Sequence, residues 1–151
     1  AAYQKGEMIR LIWYGHQINR FSLRVHLSEL TRLTGVSDIP LTLTIMDGQI
    51  SNKWQENTFE IKQEKWSLEK EVKVTAAHHL AFLPSYPGLW GKLKSDNKLI
   101  HAGLCGLHVY DPVQPQMSLM DMLCLDHKAI DRAYLRYHDA KLVAKQWEEL
   151  A

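Results

Sequence analysis

Cys105 and Cys124 are each followed three residues later by a histidine, giving Cys105-Gly-Leu-His108 and Cys124-Leu-Asp-His127 with fifteen residues between the pairs. Two thiols and two imidazoles in short pairs suit a tetrahedral Zn²⁺, because each pair closes one side of the ion. Gly106 can take up the left-handed turn a metal knuckle uses, and Cys124 and His127 would share one face of a helix start. Four protein ligands leave no open position for water, so the expectation is a structural zinc stabilising a C-terminal lobe over residues 98–151, with His101 as a spare ligand nearby. The same residues also suit two small buried thiols beside chance neighbours among eight histidines.

A second constellation is Asp47 followed by Glu60-Ile-Lys62, with Glu29 on a preceding helix. Residues two apart on a strand share a face, so Glu60 and Lys62 project together while Phe59 and Ile61 point inward. Two carboxylates and a lysine gathered across a hairpin would hold Mg²⁺ and a scissile phosphate, the lysine orienting water. The arrangement resembles the PD-(D/E)xK nuclease pattern, with Met46 where that pattern has proline. The resemblance implies Asp47, Glu60 and Lys62 as catalytic residues. Without it, Asp47-Gly48 is a turn, and Glu60 and Lys62 are the wet face of an amphipathic strand.

Two further features concern partners. Lys128, Arg132 and Arg136 recur every four residues, a basic stripe suited to phosphate contacts on nucleic acid, although Asp126, Asp131 and Asp139 are near enough to neutralise it. Leu83, Tyr86, Leu89 and Trp90 occupy a proline-punctuated loop that is unusually apolar, a docking patch for a protein partner if exposed and a core cap if folded back. Ser28 to Ser37 is similar to the first helix and turn of a helix-turn-helix unit with Gly35 at the turn, but a strand pattern follows where a recognition helix would stand.

These groups need elements to place them. Met8–Tyr14 is bulky and β-prone. Ser22–Thr34 sets Leu23, Leu27, Leu30 and Leu33 or Thr34 on one helical face, with Ser22 as cap and Gly35 as stop. Leu41–Ile45 alternates as a strand and runs into a hairpin at Asp47-Gly48. Thr58–Lys62 alternates again, and the segment after Ser67 suits a helix with Leu68, Val72 and Ala76 inward. Residues 98–110 read as one or two strands. From Ser118 the pattern is helical, with a stripe from Ile130 to Trp147 marking a long C-terminal helix. The predicted class is α+β: one domain over residues 1–151, a small mixed or antiparallel sheet with ferredoxin-like topology as one candidate, and that long last helix.

With 151 residues, 46% of them hydrophobic, the chain can bury a real core. Eighteen basic against 17 acidic residues leave a charge of +1, so any binding to nucleic acid must rest on a local patch. Two cysteines are too few for a disulfide framework and no leader pattern opens the sequence, so a reducing, cytoplasmic compartment is expected. No apolar run suits a membrane span. No glycine-rich phosphate loop is present. The sequence thus points to a nucleic-acid-associated protein, in one version a metal-dependent nuclease. The alternative is a non-catalytic adaptor docking on a larger assembly through the apolar loop or the last helix.

Overall fold

The computed structural model describes residues 1–51, 54, 58–86 and 97–126. Five strands, β1 (Ile9–Tyr14), β2 (Leu41–Asp47), β3 (Glu60–Lys65), β4 (Leu80–Phe82) and β5 (His108–Tyr110), form one sheet in the order β3-β2-β1-β4-β5. Every neighbouring pair is parallel. Four helices among the described residues connect or follow them: α1 (Arg20–Ser37), entered through a single 3-10 turn at Gln17–Asn19, α2 (Leu68–Ala76), α3 (Asn97–Leu104) and α4 (Leu119–Leu123).

The expected antiparallel or mixed sheet, and with it the ferredoxin-like candidate, is therefore replaced by an all-parallel one. Asp47-Gly48 opens a connection of a dozen residues instead of a two-residue hairpin, and that length lets β3 return to lie parallel beside β2. A parallel sheet needs cover on both faces, and the burial shows it: β2 is buried at all seven positions. The alternation Leu41-Thr-Leu-Thr-Ile45 thus marks a two-sided interior. Threonine tolerates this because its hydroxyl finds a partner; Thr44 Oγ1 lies 2.7 Å from His78 Nε2. The edge strand β3 is charged and half exposed, with Glu60 and Lys62 3.7 Å apart in solvent, which blunts pairing with other chains.

The first strand and the helical face of α1 follow the expectation. Ile9, Leu11, Ile12 and Trp13 are buried, as are Leu23, Leu30 and Thr34. The boundaries of α1 differ. Asn19 precedes its first residue, Ser22 Oγ donates to Asn19 O, and the helix runs through Gly35 to end at Asp38, whose φ of +50° is the left-handed stop. The helix-turn-helix turn at Gly35 is accordingly absent from the structure. The segment after Ser67 is a helix, but Leu68 and Val72 are 77% and 62% exposed. Thr75 is the buried position, and with Glu71 one turn earlier it faces α3.

The apolar run at 98–110 splits into helix α3 and strand β5, with Gly106 at φ +78° ending the helix where a side chain would be strained. Ser118 caps α4 by accepting the Asp121 N–H at 3.1 Å. The stripe from Ile130 to Trp147, assigned to a long last helix, lies outside the described residues. Among the described residues no helix is long and apolar enough to cross a membrane.

His79 supports a pH prediction. It is 1% exposed, its Nδ1 accepts the Arg10 N–H at 3.0 Å, and its Nε2 lies 3.1 Å from Glu7 Oε1, out of line for a hydrogen bond. Burial, and secondarily the Arg10 charge, holds its pKa down to about 4. The native imidazole stays neutral while the unfolded chain takes up a proton below about 6.5, so the unfolded state binds more protons in between. Stability is complete above about pH 6.5 and falls by about 3 kcal/mol as the pH drops toward 4. Urea midpoints at a series of pH values should show this slope, shallower in His79→Gln; an unchanged slope in that variant would assign it elsewhere.

Candidate functional site

In a parallel sheet all strands end at one edge, so Tyr14, Asp47, Lys65, Phe82 and Tyr110 finish side by side. The chain builds outward from β1 to β2 and β3, then crosses back to place β4 and β5 on the other side of β1. A reversal of strand order of this kind is the position where doubly wound sheets bind ligands. The chain has a cleft there of about 370 Å³, lined by Tyr14, Gly15 and His16 after β1, Met46 and Gly48 on β2 and its exit, Trp66 and Glu71 after β3, and Asn97, Lys98 and His101 of α3.

The first turns at the cleft come from the connections after β1 and β4. His16 caps the 3-10 turn that leads into α1, its Nδ1 accepting the Ile18 N–H at 3.2 Å. Lys98, in the first turn of α3, lies over Gly15. A Cβ at residue 15 would stand 2.5 Å from Lys98 Nζ, so glycine lets the ammonium settle directly on the turn, where a side chain would push it aside. Beneath it, Trp13 presents its ring 5.2 Å from the ammonium, and Tyr14 donates its hydroxyl to the Lys98 carbonyl at 2.6 Å. Lys98 is thereby held between β1 and its own helix. Helix starts carry partial positive charge, and the ammonium of Lys98 is added here.

The opposite wall differs. Trp66 is 47% exposed and, with Met46, gives the cleft an apolar side suited to a planar ring. Its backbone N–H donates to Asp47 O at 2.7 Å, tying the exit of β3 to β2. Glu71 and His101 face each other, His101 Nδ1 lying 3.6 Å from Glu71 Oε1. On its other side His101 Nε2 is 3.2 Å from the buried Thr75 hydroxyl and 3.7 Å from Cys105 Sγ. The ring of Tyr14 meets that of His101 edge-on at 5.1 Å. Burial lifts the Tyr14 hydroxyl well above the usual phenol range, and burial, then Glu71, pushes the Cys105 thiol up. Both stay protonated near neutrality, so Cys105 is not a poised nucleophile.

Asp47 lies at this edge but is occupied. It is 2% exposed, and Arg20 grips it with Nε on Oδ2 at 2.5 Å and Nη2 on Oδ1 at 2.7 Å, while Nη2 also donates to Gln49 O. Hydrogen bonding to Asp47 raises Arg20 further above its ordinary range. The pair clamps the end of β2 to the start of α1. Glu60 and Lys62 are elsewhere. Glu60 is in register with Thr42 at the amino end of β2, five residues from Asp47, about 16 Å at the usual strand rise. The parallel pairing thus separates Asp47 from Glu60, where a hairpin would have gathered them.

Of the expected zinc ligands, Cys105 Sγ lies 3.7 Å from His101 Nε2, His108 Nε2 lies 3.1 Å from Asp126 O, and Cys124 is an exposed cap of α4. His127 lies outside the described residues. Among the described residues no group of three or more His, Cys, Asp or Glu side chains is placed to hold a metal ion. Lys128, Arg132 and Arg136 also lie outside them. In the expected docking loop, Leu83 belongs to the core, its N–H bonded to Tyr110 O, and Tyr86 packs edge-on against Phe21 at 6.0 Å; Leu89 and Trp90 are outside the described residues.

Sequence reasoning passed over Gly15, His16, Lys98 and His101 as a group. The available signal was the bulky run Met8–Tyr14 meeting Gly15-His16 and then a helical pattern, a strand–turn–helix unit. Lys98 and His101 were hidden because their segment reads as strand. Fold and site together define an α/β domain with a five-stranded, all-parallel sheet and a ligand-sized cleft at the carboxyl edge of that sheet. No protein-family model matches this chain, and no curated protein or solved structure matches it.

Proposed function

We propose that this chain is a ligand-binding domain that takes a small phosphorylated molecule, of nucleotide size, in the cleft at the β1–β4 reversal. The observation that carries the reading is Lys98 seated over Gly15 at the junction of β1 and α1. An ammonium held at a side-chain-free turn, beside the first turns of two connections and two imidazoles, is suited to a phosphate, and the neighbouring Trp66 and Met46 suit a planar apolar group. The phosphate chemistry expected from the basic stripe and the nuclease-like residues is here attached to a different set of side chains and to a small molecule.

The test is calorimetric titration of the protein with inorganic phosphate and with nucleoside mono- and diphosphates. Lys98→Ala should weaken phosphate binding by about tenfold to a hundredfold, corresponding to the 1.5–3 kcal/mol of a charge-assisted contact, in protein with unchanged circular dichroism. Failure of all these phosphates to bind in the millimolar range would remove the reading. The Mg²⁺-dependent nuclease expected from Asp47, Glu60 and Lys62 makes a separate claim, cleavage lost in Lys62→Ala.

A further inference from the structure

Glu71 is a carboxylate in a cleft whose other charges favour an anion, and its surroundings hold it there. It projects from α2 into the cleft with 27% of its side chain exposed. Its Oε1 faces His101 Nδ1. The contact at 3.6 Å is too long for a hydrogen bond, so the pairing leaves the carboxylate capacity to accept donors. His101 is itself fixed from behind. The hydroxyl of the fully buried Thr75 lies 3.2 Å from Nε2, which anchors that side of the ring and leaves Nδ1 facing Glu71. The edge contact with Tyr14 limits rotation of the ring.

A carboxylate so placed repels a bare anion and accepts hydrogen bonds from hydroxyl groups. We infer that Glu71 is a specificity-determining residue that accepts a hydrogen bond from a sugar hydroxyl of the ligand, with His101 as its positioning residue, so that the cleft selects sugar phosphates over phosphate alone. This rests on the phosphate reading above. The phosphate lies at Lys98 and the hydroxyls at Glu71, and the ligand must span both. A carboxylate that loses its donor is left partly desolvated, which is how a site built around a hydroxyl rejects the analogue lacking it.

The experiment compares ribose 5-phosphate, 2-deoxyribose 5-phosphate and inorganic phosphate by calorimetry. Wild-type protein should prefer ribose 5-phosphate to the deoxy sugar by about tenfold. Glu71→Gln, which replaces the charged acceptor by a weaker neutral one, should reduce that preference while leaving inorganic phosphate bound as well or more tightly, since a repelling charge is removed. His101→Leu should lose the preference too, and His101→Gln, which keeps a polar group facing Glu71, should retain most of it. A merely structural role would instead weaken all three ligands together. A preference unchanged in Glu71→Gln overturns this inference and leaves the phosphate reading standing. Absence of binding by all three ligands in wild-type protein removes both.

Discussion

Arg20→Ala lowers the folding free energy by about 3–5 kcal/mol, the usual cost of removing one partner of a buried ion pair. Asp47 is 2% exposed and is held by two guanidinium hydrogen bonds, with the Gln49 N–H as a third donor at 3.0 Å. Removing the guanidinium strands a carboxylate where water cannot reach it. In a chain of this size that corresponds to a melting temperature lower by roughly 10 °C or more. Asp47→Ala costs less, because Arg20 begins a helix near the surface and can turn its guanidinium to water. Replacing both with apolar residues of similar volume restores much of the loss, so urea denaturation of the two single variants and the double variant should reveal strong coupling. A loss within about 1 kcal/mol for Arg20→Ala would show that the clamp is not a stability element.

Trp13→Ala is expected to cost about 3–5 kcal/mol, the range for truncating a large buried aromatic. Trp13 is 1% exposed near the carboxyl end of β1, in register with Ile45 of β2. The same ring stands under the candidate site. Its Cζ2 lies 3.4 Å from where a Gly15 Cβ would be, and its face receives the Lys98 ammonium. Truncation therefore opens a cavity beneath the β1–α1 turn and frees Lys98 together. Phosphate affinity should fall along with stability, whereas Leu30→Ala, on the inward face of α1, should lower stability with little effect on affinity. Equal loss of affinity in both variants would mean that the cleft responds only to general loosening of the fold. Chemical denaturation and calorimetry on the same samples separate the outcomes.

Much of the local structure was legible because short-range chemistry decides it. The β-prone run at Met8–Tyr14, the leucine face of α1, the strand at Leu41 and the start of a helical pattern near Ser118 all follow from periodicity. Errors fell where a pattern has two meanings. Leu41-Thr-Leu-Thr-Ile45 alternates as a half-wet strand would, yet its threonines are covered, Thr44 pairing with His78. The stretch 98–110 is apolar with glycine, and the left-handed turn at Gly106 divides it into helix and strand. Leu68 and Val72 have the spacing of an inward face, but α2 turns Glu71 and Thr75 toward His101 instead.

By itself the sequence determined that these segments are β-prone or helical, that the charge is nearly balanced, and that the chain carries enough apolar material for a core. Only the tertiary structure decided which chemical groups meet. Strand direction is set by the return path of the chain and not by the strand's own residues, so a hairpin and a parallel crossover share one local pattern after Asp47. Choosing the crossover moved Glu60 to the far end of the sheet and brought Gly15, Lys98, Glu71 and His101, spread over 87 residues, around one cleft. Periodicity reports how a segment divides itself between water and core; the order of strands in the sheet, which depends on packing between distant segments, determines what lies beside it.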